Sequence, residues 1–177
     1  MKFLHSSALL LATLALASCD KSPDSDPTTV SPTTAPAAPA GPAPNAVDRL
    51  KKNVVADGVQ FQPEAAKVDG NALVSTGVAG FMMFGPYVPF VPGVYHVTVQ
   101  GSIPSLDDGS EVRFDAVSGA ATSMHGEQVV NTVIPESGNI AEFDITIPEG
   151  VVDLELRANV TAGAVVRIES YQVAKAN

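Results

Sequence analysis

The sequence predicts an all-β protein, an antiparallel sandwich or barrel behind a disordered, proline-rich tether. Apolar and polar residues alternate with a period of two in several separate runs, the signature of strands with one buried face. Turn signals separate the runs: Asp69-Gly70, Asp107-Asp108-Gly109, Ser118-Gly119, Ser137-Gly138 and Glu149-Gly150. No helical period of about 10–15 residues falls between them, which argues against βαβ units.

The N-terminus reads as an export signal. Lys2 supplies a short positive region, and Ala8–Ala17 is apolar apart from Thr13. That run has the length of a signal-peptide core and falls short of the roughly 20 apolar residues that span a bilayer. It ends in Leu16-Ala17-Ser18-Cys19, where the chain's single cysteine stands after two small residues. At this point the chain resembles bacterial lipoproteins, whose lipobox runs Leu-(Ala/Ser)-(Gly/Ala/Ser)-Cys; all four positions match. The resemblance implies a signal peptide over residues 1–18, cleavage before Cys19, and a thioether-linked diacylglycerol on Cys19, often with a further acyl chain on its new amine. Each buried CH₂ contributes roughly 0.8 kcal/mol, and one chain anchors only marginally, so two or three on one residue are needed for stable anchoring. A lone exported cysteine excludes an intramolecular disulfide. Asp20 resembles the residue that retains enterobacterial lipoproteins in the inner membrane.

Residues 19–46 form the lipidated N-terminus and linker. Residues 20–46 hold seven of the fourteen prolines, among Ser, Thr, Ala and Asp, and no aromatic residue. Such a segment cannot repay its ordering entropy, and polyproline II character is expected. At about 3.1 Å per residue it reaches at most ~80 Å. Over 46–56, Val47, Leu50 and Val54 fall at helical spacing, with Asp48 early and Lys51 and Lys52 later, so a short helix packed on the domain is expected there.

The domain occupies residues 47–177. Short candidate strands are Val59–Phe61, Ala72–Ser75, Val78–Phe84 and Gln128–Ile134. The clearest strand follows Gly93-Val94: Tyr95, Val97 and Val99 alternate with His96, Thr98 and Gln100. Val112, Phe114 and Ala116 alternate with Glu111, Arg113 and Asp115. Phe143, Ile145 and Ile147 alternate with Glu142, Asp144 and Thr146. Val152, Leu154, Leu156 and Ala158 alternate with Asp153, Glu155, Arg157 and Asn159, and Val166 and Ile168 with Arg167 and Glu169. Eight or nine short strands at this spacing suit a sandwich or barrel, and roughly 130 residues bury a core without staples.

Gly85-Pro86-Tyr87 followed by Pro92-Gly93-Val94-Tyr95-His96-Val97-Thr98-Val99 resembles the "GPY … L-x-(A/P)-G-x-Y-x-V" strand of jelly-roll modules found beside bacterial glycosyltransferases and polysaccharide-export proteins. Phe114-Asp115 fits the following strand loosely. Asp153-Leu154-Glu155-Leu156-Arg157 is similar to a late "v-E-F-R-V" strand, with Leu156 in place of Phe, and Val165–Val173 resembles the closing strand. The similarity covers about residues 59–174. It implies a single antiparallel β-sandwich of jelly-roll, carbohydrate-binding-module-like form, and implies sugar binding only by analogy.

Sugar sites place an exposed aromatic face beside carboxylates and amides. The candidates are Tyr87 and Phe90, in the proline-rich segment Gly85–Pro92, and His125 in a second loop; the alternative for the two aromatics is that they cap the core. Arg157 shares a strand face with Asp153 and Glu155 and would pair with one of them or with a carboxylate across the sheet, as would Asp115. Asp107-Asp108-Gly109-Ser110-Glu111 gathers three carboxylates, but its spacing is not that of an EF-hand and reads as a turn. Three histidines, one of them in the signal peptide, form no zinc pattern, so no metal site and no cofactor beyond the lipid on Cys19 is expected. Gly-x-Ser-x-Gly does not occur, and Ser-x-x-Lys occurs only as Ser18-Cys19-Asp20-Lys21, across the expected cleavage before Cys19; no catalytic residue is assigned.

The net charge is −9. Losing residues 1–18 removes Lys2 alone among the charges and leaves nine basic against nineteen acidic residues. Such a chain repels nucleic acid and anionic headgroups. The expectation is therefore a non-catalytic lipoprotein, anchored by its lipid to a membrane of the bacterial cell envelope, whose β-sandwich binds an envelope glycan. The alternative is a structural lipoprotein that contacts an envelope protein and takes no sugar.

Overall fold

The structure, a computed structural model, describes Gly41 and residues 43–176. Cys19, Asp20, the signal segment and the tether as far as residue 40 lie outside the described residues. Eleven strands form: β1 (Arg49–Asn53), β2 (Ala66–Asp69), β3 (Ala72–Ser75), β4 (Gly80–Met83), β5 (Pro86–Val88), β6 (Gly93–Leu106), β7 (Val112–Ser118), β8 (Ser123–Val130), β9 (Ile134–Ile147), β10 (Leu154–Val160) and β11 (Ala164–Lys175). They make two antiparallel sheets, the β-sandwich that the alternation predicts. The six-stranded sheet runs β2-β3-β11-β6-β9, with β1 beside β3 along the same edge of β11. The five-stranded sheet runs β4-β10-β7-β8, with β5 and β4 end to end along β10.

Residues that alternate inward meet between the sheets. Tyr95, Val97, Val99, Phe114, Ala116, Ile145, Leu154, Leu156, Ala158, Val166 and Tyr171 are all buried, and this burial supplies the main driving force for the fold. Gly101 is required where β6 bulges: a Cβ there would collide with the Arg167 carbonyl of β11. The Asp69-Gly70, Ser118-Gly119 and Glu149-Gly150 signals fall between strands as expected.

Four local expectations change. Val59–Phe61 forms only an isolated bridge at Gln60, and Gln128–Ile134 is divided between the end of β8 and the start of β9. Residues 49–53 form strand β1, not helix, because the ladder from Arg49↔Ala174 to Asn53↔Ser170 satisfies their backbone. The helical spacing of three apolar residues is a weak preference that tertiary pairing overrides. Ser137-Gly138 lies inside β9, not at a turn; Gly138 pairs with Gly101, next to the β6 bulge.

Two seams close the sandwich. On one side β8 abuts β9. The Glu142 N–H donates to the Gln128 side-chain oxygen at 2.7 Å, and a Cβ on Gly126 would lie 2.6 Å from the Asp144 carbonyl. On the other side the chain before and after β1 reaches β4 and β5. Phe84 N–H donates to the Gln60 carbonyl, Gln62 N–H to the Phe81 carbonyl, and Val47 N–H to the Pro89 carbonyl, at 2.9–3.0 Å.

Candidate functional site

The outer face of the five-stranded sheet carries the candidate site. Along β10, Leu154, Leu156, Ala158 and Val160 turn inward, so Glu155, Arg157 and Asn159 share the outer face. Cross-strand register sets Arg157 beside Asp115 and Asn159 between Arg113 and Phe81. These side chains, with Glu111 and Thr161, line a groove of about 300 Å³.

Arg157 organises the groove. Its Nε donates to Asp115 Oδ1 at 2.7 Å and its Nη2 to Oδ2 at 2.9 Å, a bidentate fork. Its guanidinium carbon lies 5.1 Å from the centroid of the Phe81 ring, within cation–π range. Asp115 is only 3% exposed, so the pair forms the floor. The hydrogen bond from Arg157 to Asp115 is the first cause that raises the guanidinium pKa above its ordinary value, opposed by desolvation. A guanidinium carries five N–H donors; two are used, and Nη1 has no side-chain hydrogen bond among the described residues.

Tyr87 stands at the β5 end of the same face. It is 44% exposed, and its hydroxyl donates to Glu155 Oε1 at 3.1 Å. Burial of the hydroxyl, then the bond to Glu155 and the charge of Glu155, raise the phenol pKa, while Arg157 lowers it. Glu155 is itself 9% exposed. Tyr87 has φ of 60°, a left-handed backbone unusual for a large side chain.

The other predicted residues lie elsewhere. Phe90 corrects the expectation: it is 2% exposed and packs edge-to-face on Tyr95, centroids 5.2 Å apart at 89°. It caps the core and offers no face to a ligand. His125 is half-buried in β8, with both ring nitrogens engaged. Nδ1 lies 3.2 Å from the Thr146 carbonyl, and Nε2 lies 2.8 Å from Ser118 Oγ. The carbonyl only accepts, so Nδ1 is the donor and Nε2 accepts from the serine. That arrangement ties β8 to β9. Tyr87, Phe90 and His125 therefore form no common site. Phe81, Asn159, Glu111 and Thr161 went unrecognised from sequence; the one signal was that Asn159 continues the outward alternation of Glu155 and Arg157.

The acidic turn at Asp107–Glu111 is held by Ser110 N–H donating to the Asp107 carbonyl at 2.9 Å. Among the described residues no group of three or more His, Cys, Asp or Glu is placed to hold a metal ion.

No family model matches the chain, and no curated protein matches it. Among solved structures it is similar to the C-terminal CBM6 of LamC, a marine laminarinase from Zobellia galactanivorans, at 15% identity and a TM-score of 0.49, over 72% of this chain and 99% of that one. It is similar to the carbohydrate-binding module CBM6cm-2 of Cellvibrio mixtus lichenase 5A, solved with cellotriose, at 10% identity and a TM-score of 0.46, over 72% and 98%. A CBM4 structure shares 11% identity at a TM-score of 0.36.

Proposed function

We propose that this protein is a non-catalytic lipoprotein of the bacterial cell envelope that binds a glycan chain along the outer face of its five-stranded sheet. The observation that carries the reading is the Arg157–Asp115 fork on Phe81. A fixed, planar donor group beside aromatic rings suits a ligand with hydroxyl rims and CH faces. Glu155, Asn159, Thr161 and Glu111 add acceptors and donors along the strand. At about 3.3 Å per residue, the stretch from Glu155 to Thr161 is roughly 20 Å long, long enough for a short oligosaccharide. The lipobox at Leu16-Ala17-Ser18-Cys19 supports membrane attachment through Cys19, and Asp20 supports the inner membrane.

The test uses the full-length chain purified from membranes. A panel of cell-envelope polysaccharides and their oligosaccharides is screened by thermal shift and titration calorimetry. One class is expected to bind, and Arg157→Ala to abolish that binding. If nothing on the panel binds while affinity capture recovers one envelope protein, the glycan reading fails in favour of a protein-contact role. Cys19→Ala is expected to release the protein from membranes and block maturation; unchanged fractionation would refute the anchor.

A further inference from the structure

The outer face of the six-stranded sheet is polar, and its charges are sorted by strand. Strands β1, β11, β6 and β9 lie side by side in that order. Tyr95, Val97 and Val99 of β6 point to the core, and cross-strand register aligns the residues between them into rows with their neighbours. One row reads Arg49, Ala174, His96, Asp144, and the next reads Lys51, Gln172, Thr98, Glu142. Both rows begin on a cation and end on a carboxylate. The row after them, Asn53, Ser170, Gln100 and Asn139, is uncharged. At about 4.8 Å per strand, the basic stripe on β1 and the acidic stripe on β9 are roughly 14 Å apart.

The two stripes do not neutralise each other within the chain. Among the described residues, Arg49 and Lys51 form no salt bridge, and Glu142 and Asp144 meet no Lys or Arg. The carboxylates are nevertheless held in place. Glu142 Oε1 accepts from the Asn139 amide, whose oxygen accepts from Gln100, and Asp144 Oδ1 lies 2.8 Å from His96 Nδ1. Val94, 47% exposed, stands on the same face at the head of β6.

A surface that fits this face must carry the opposite order of charge at the same spacing. The face itself does. A second copy, turned by 180° about an axis that runs along the strands between β11 and β6, lays each row on its own reverse. Arg49 then meets the partner's Asp144, Lys51 meets the partner's Glu142, and Val94 lies beside the axis against the partner's Val94. Stacked sheets lie about 10 Å apart, within the combined reach of a long cation and a carboxylate. Such a contact is isologous and closes at two copies. The rotation preserves strand direction, so β1 begins at the same end in both.

We infer that this face is a self-docking surface that joins two copies of the chain. A membrane of anionic headgroups would meet Glu142 and Asp144 as like charges, and a neutral glycan would cover all four charges without pairing them. The patch measures roughly 19 Å by 23 Å, so two copies together cover about 900 Å², the size of a weak, reversible contact.

The experiment follows sedimentation of the full-length chain in density-matched detergent, from micromolar to submillimolar concentration. No glycan is present, so the outcome is independent of the groove at Arg157. A reversible monomer–dimer equilibrium is expected. Lys51→Glu and Glu142→Lys each turn two symmetry-related ion pairs into like-charge pairs, and each is expected to weaken the dimer about tenfold or more. The first makes the chain more acidic and the second less, so a loss shared by both comes from the pairing and not from net charge. The two substitutions together restore opposite charges and are expected to return affinity to within about threefold of the parent. Val94→Glu, beside the axis, should also weaken the dimer, and Val68→Glu, on the exposed strand β2 outside the patch, should not. A chain that stays monomeric throughout would overturn the inference. If Lys51→Glu then loses an envelope protein recovered by affinity capture, the face belongs to a foreign partner. Single swaps that dimerise like the parent, or a double swap that stays apart, would overturn it equally.

Discussion

Removing either half of the Arg157–Asp115 fork should cost stability unequally, in proportion to the burial of the charge left behind. Side-chain exposure is 17% for Arg157 and 5% for Asp115. Breaking a fully buried pair typically costs about 3–5 kcal/mol, because the survivor is an uncompensated charge. In Asp115→Ala the survivor is the better-solvated guanidinium, still stacked on Phe81, so the cost falls to about 2–3 kcal/mol. In Arg157→Ala the survivor is the deeply buried Asp115 carboxylate, and the stack on Phe81 is lost as well, so about 3–4 kcal/mol is expected. At roughly 4 °C per kcal/mol for a domain of this size, the melting temperatures fall by ~10 °C and ~14 °C. The double variant carries no stranded charge and should lose about 2 kcal/mol less than the sum of the singles. Urea denaturation of the parent, both singles and the double closes the cycle, provided the slope with denaturant stays constant. Single costs that add within about 0.5 kcal/mol, or an Asp115→Ala variant less stable than Arg157→Ala, would refute the buried fork as the floor of the groove.

Three further outcomes follow from the geometry. Phe90→Ala should cost about 3–5 kcal/mol in chemical denaturation, as for a core aromatic; a cost below about 1 kcal/mol would return Phe90 to the surface. Gly126→Ala should destabilise by about 1–3 kcal/mol, since its Cβ would lie 2.6 Å from the Asp144 carbonyl and 2.9 Å from Ile145 Cγ2; a neutral variant would mean that β8 and β9 are not in contact. Burial raises the pKa of Tyr171 and Tyr95 above 10.0. Above pH 10 the unfolded chain releases these protons while the folded one retains them, so stability is intact below pH 10 and falls as pH rises beyond it. The 295 nm phenolate absorbance should therefore appear with unfolding, and Tyr171→Phe should move the alkaline midpoint upward; phenolate formation in the folded state would contradict the burial.

The strands from Tyr95 onward were legible because a half-buried strand writes its two faces into alternate residues. Tyr95, Val97 and Val99 point to the core, and the residues between them do not. The same logic identified the outer face of β10 but not its chemistry. Arg157 had several possible carboxylate partners, and only the register with β7 selects Asp115; register is a property of two strands. Phe90 and Tyr87 are both aromatics set among prolines, and composition does not distinguish them. What separates them is the backbone path: Val47 bridges to Phe90 and the chain there closes over the core, while Tyr87 lies outside on β5. Residues 46–56 misled for a related reason. Their helical spacing is local, whereas the ladder with β11 comes from more than a hundred residues away.

The two seams close the sandwich by different means. Where β8 meets β9, His125, Gly126 and Gln128 bring backbone or side-chain groups into direct contact with Thr146, Asp144 and Glu142. That seam is closed by hydrogen bonds and by a missing side chain. Where β1 meets β5, the contact is made by a turn, and Tyr171 is buried beneath it with a hydroxyl that has no hydrogen-bond partner among the described residues. Tyrosine is a costly choice for a purely structural position of this kind: phenylalanine would fill the same space without burying a polar atom. Tyr171→Phe should therefore be at least as stable as the parent in chemical denaturation, and a loss of about 1 kcal/mol or more would show that the hydroxyl is bonded in the folded chain.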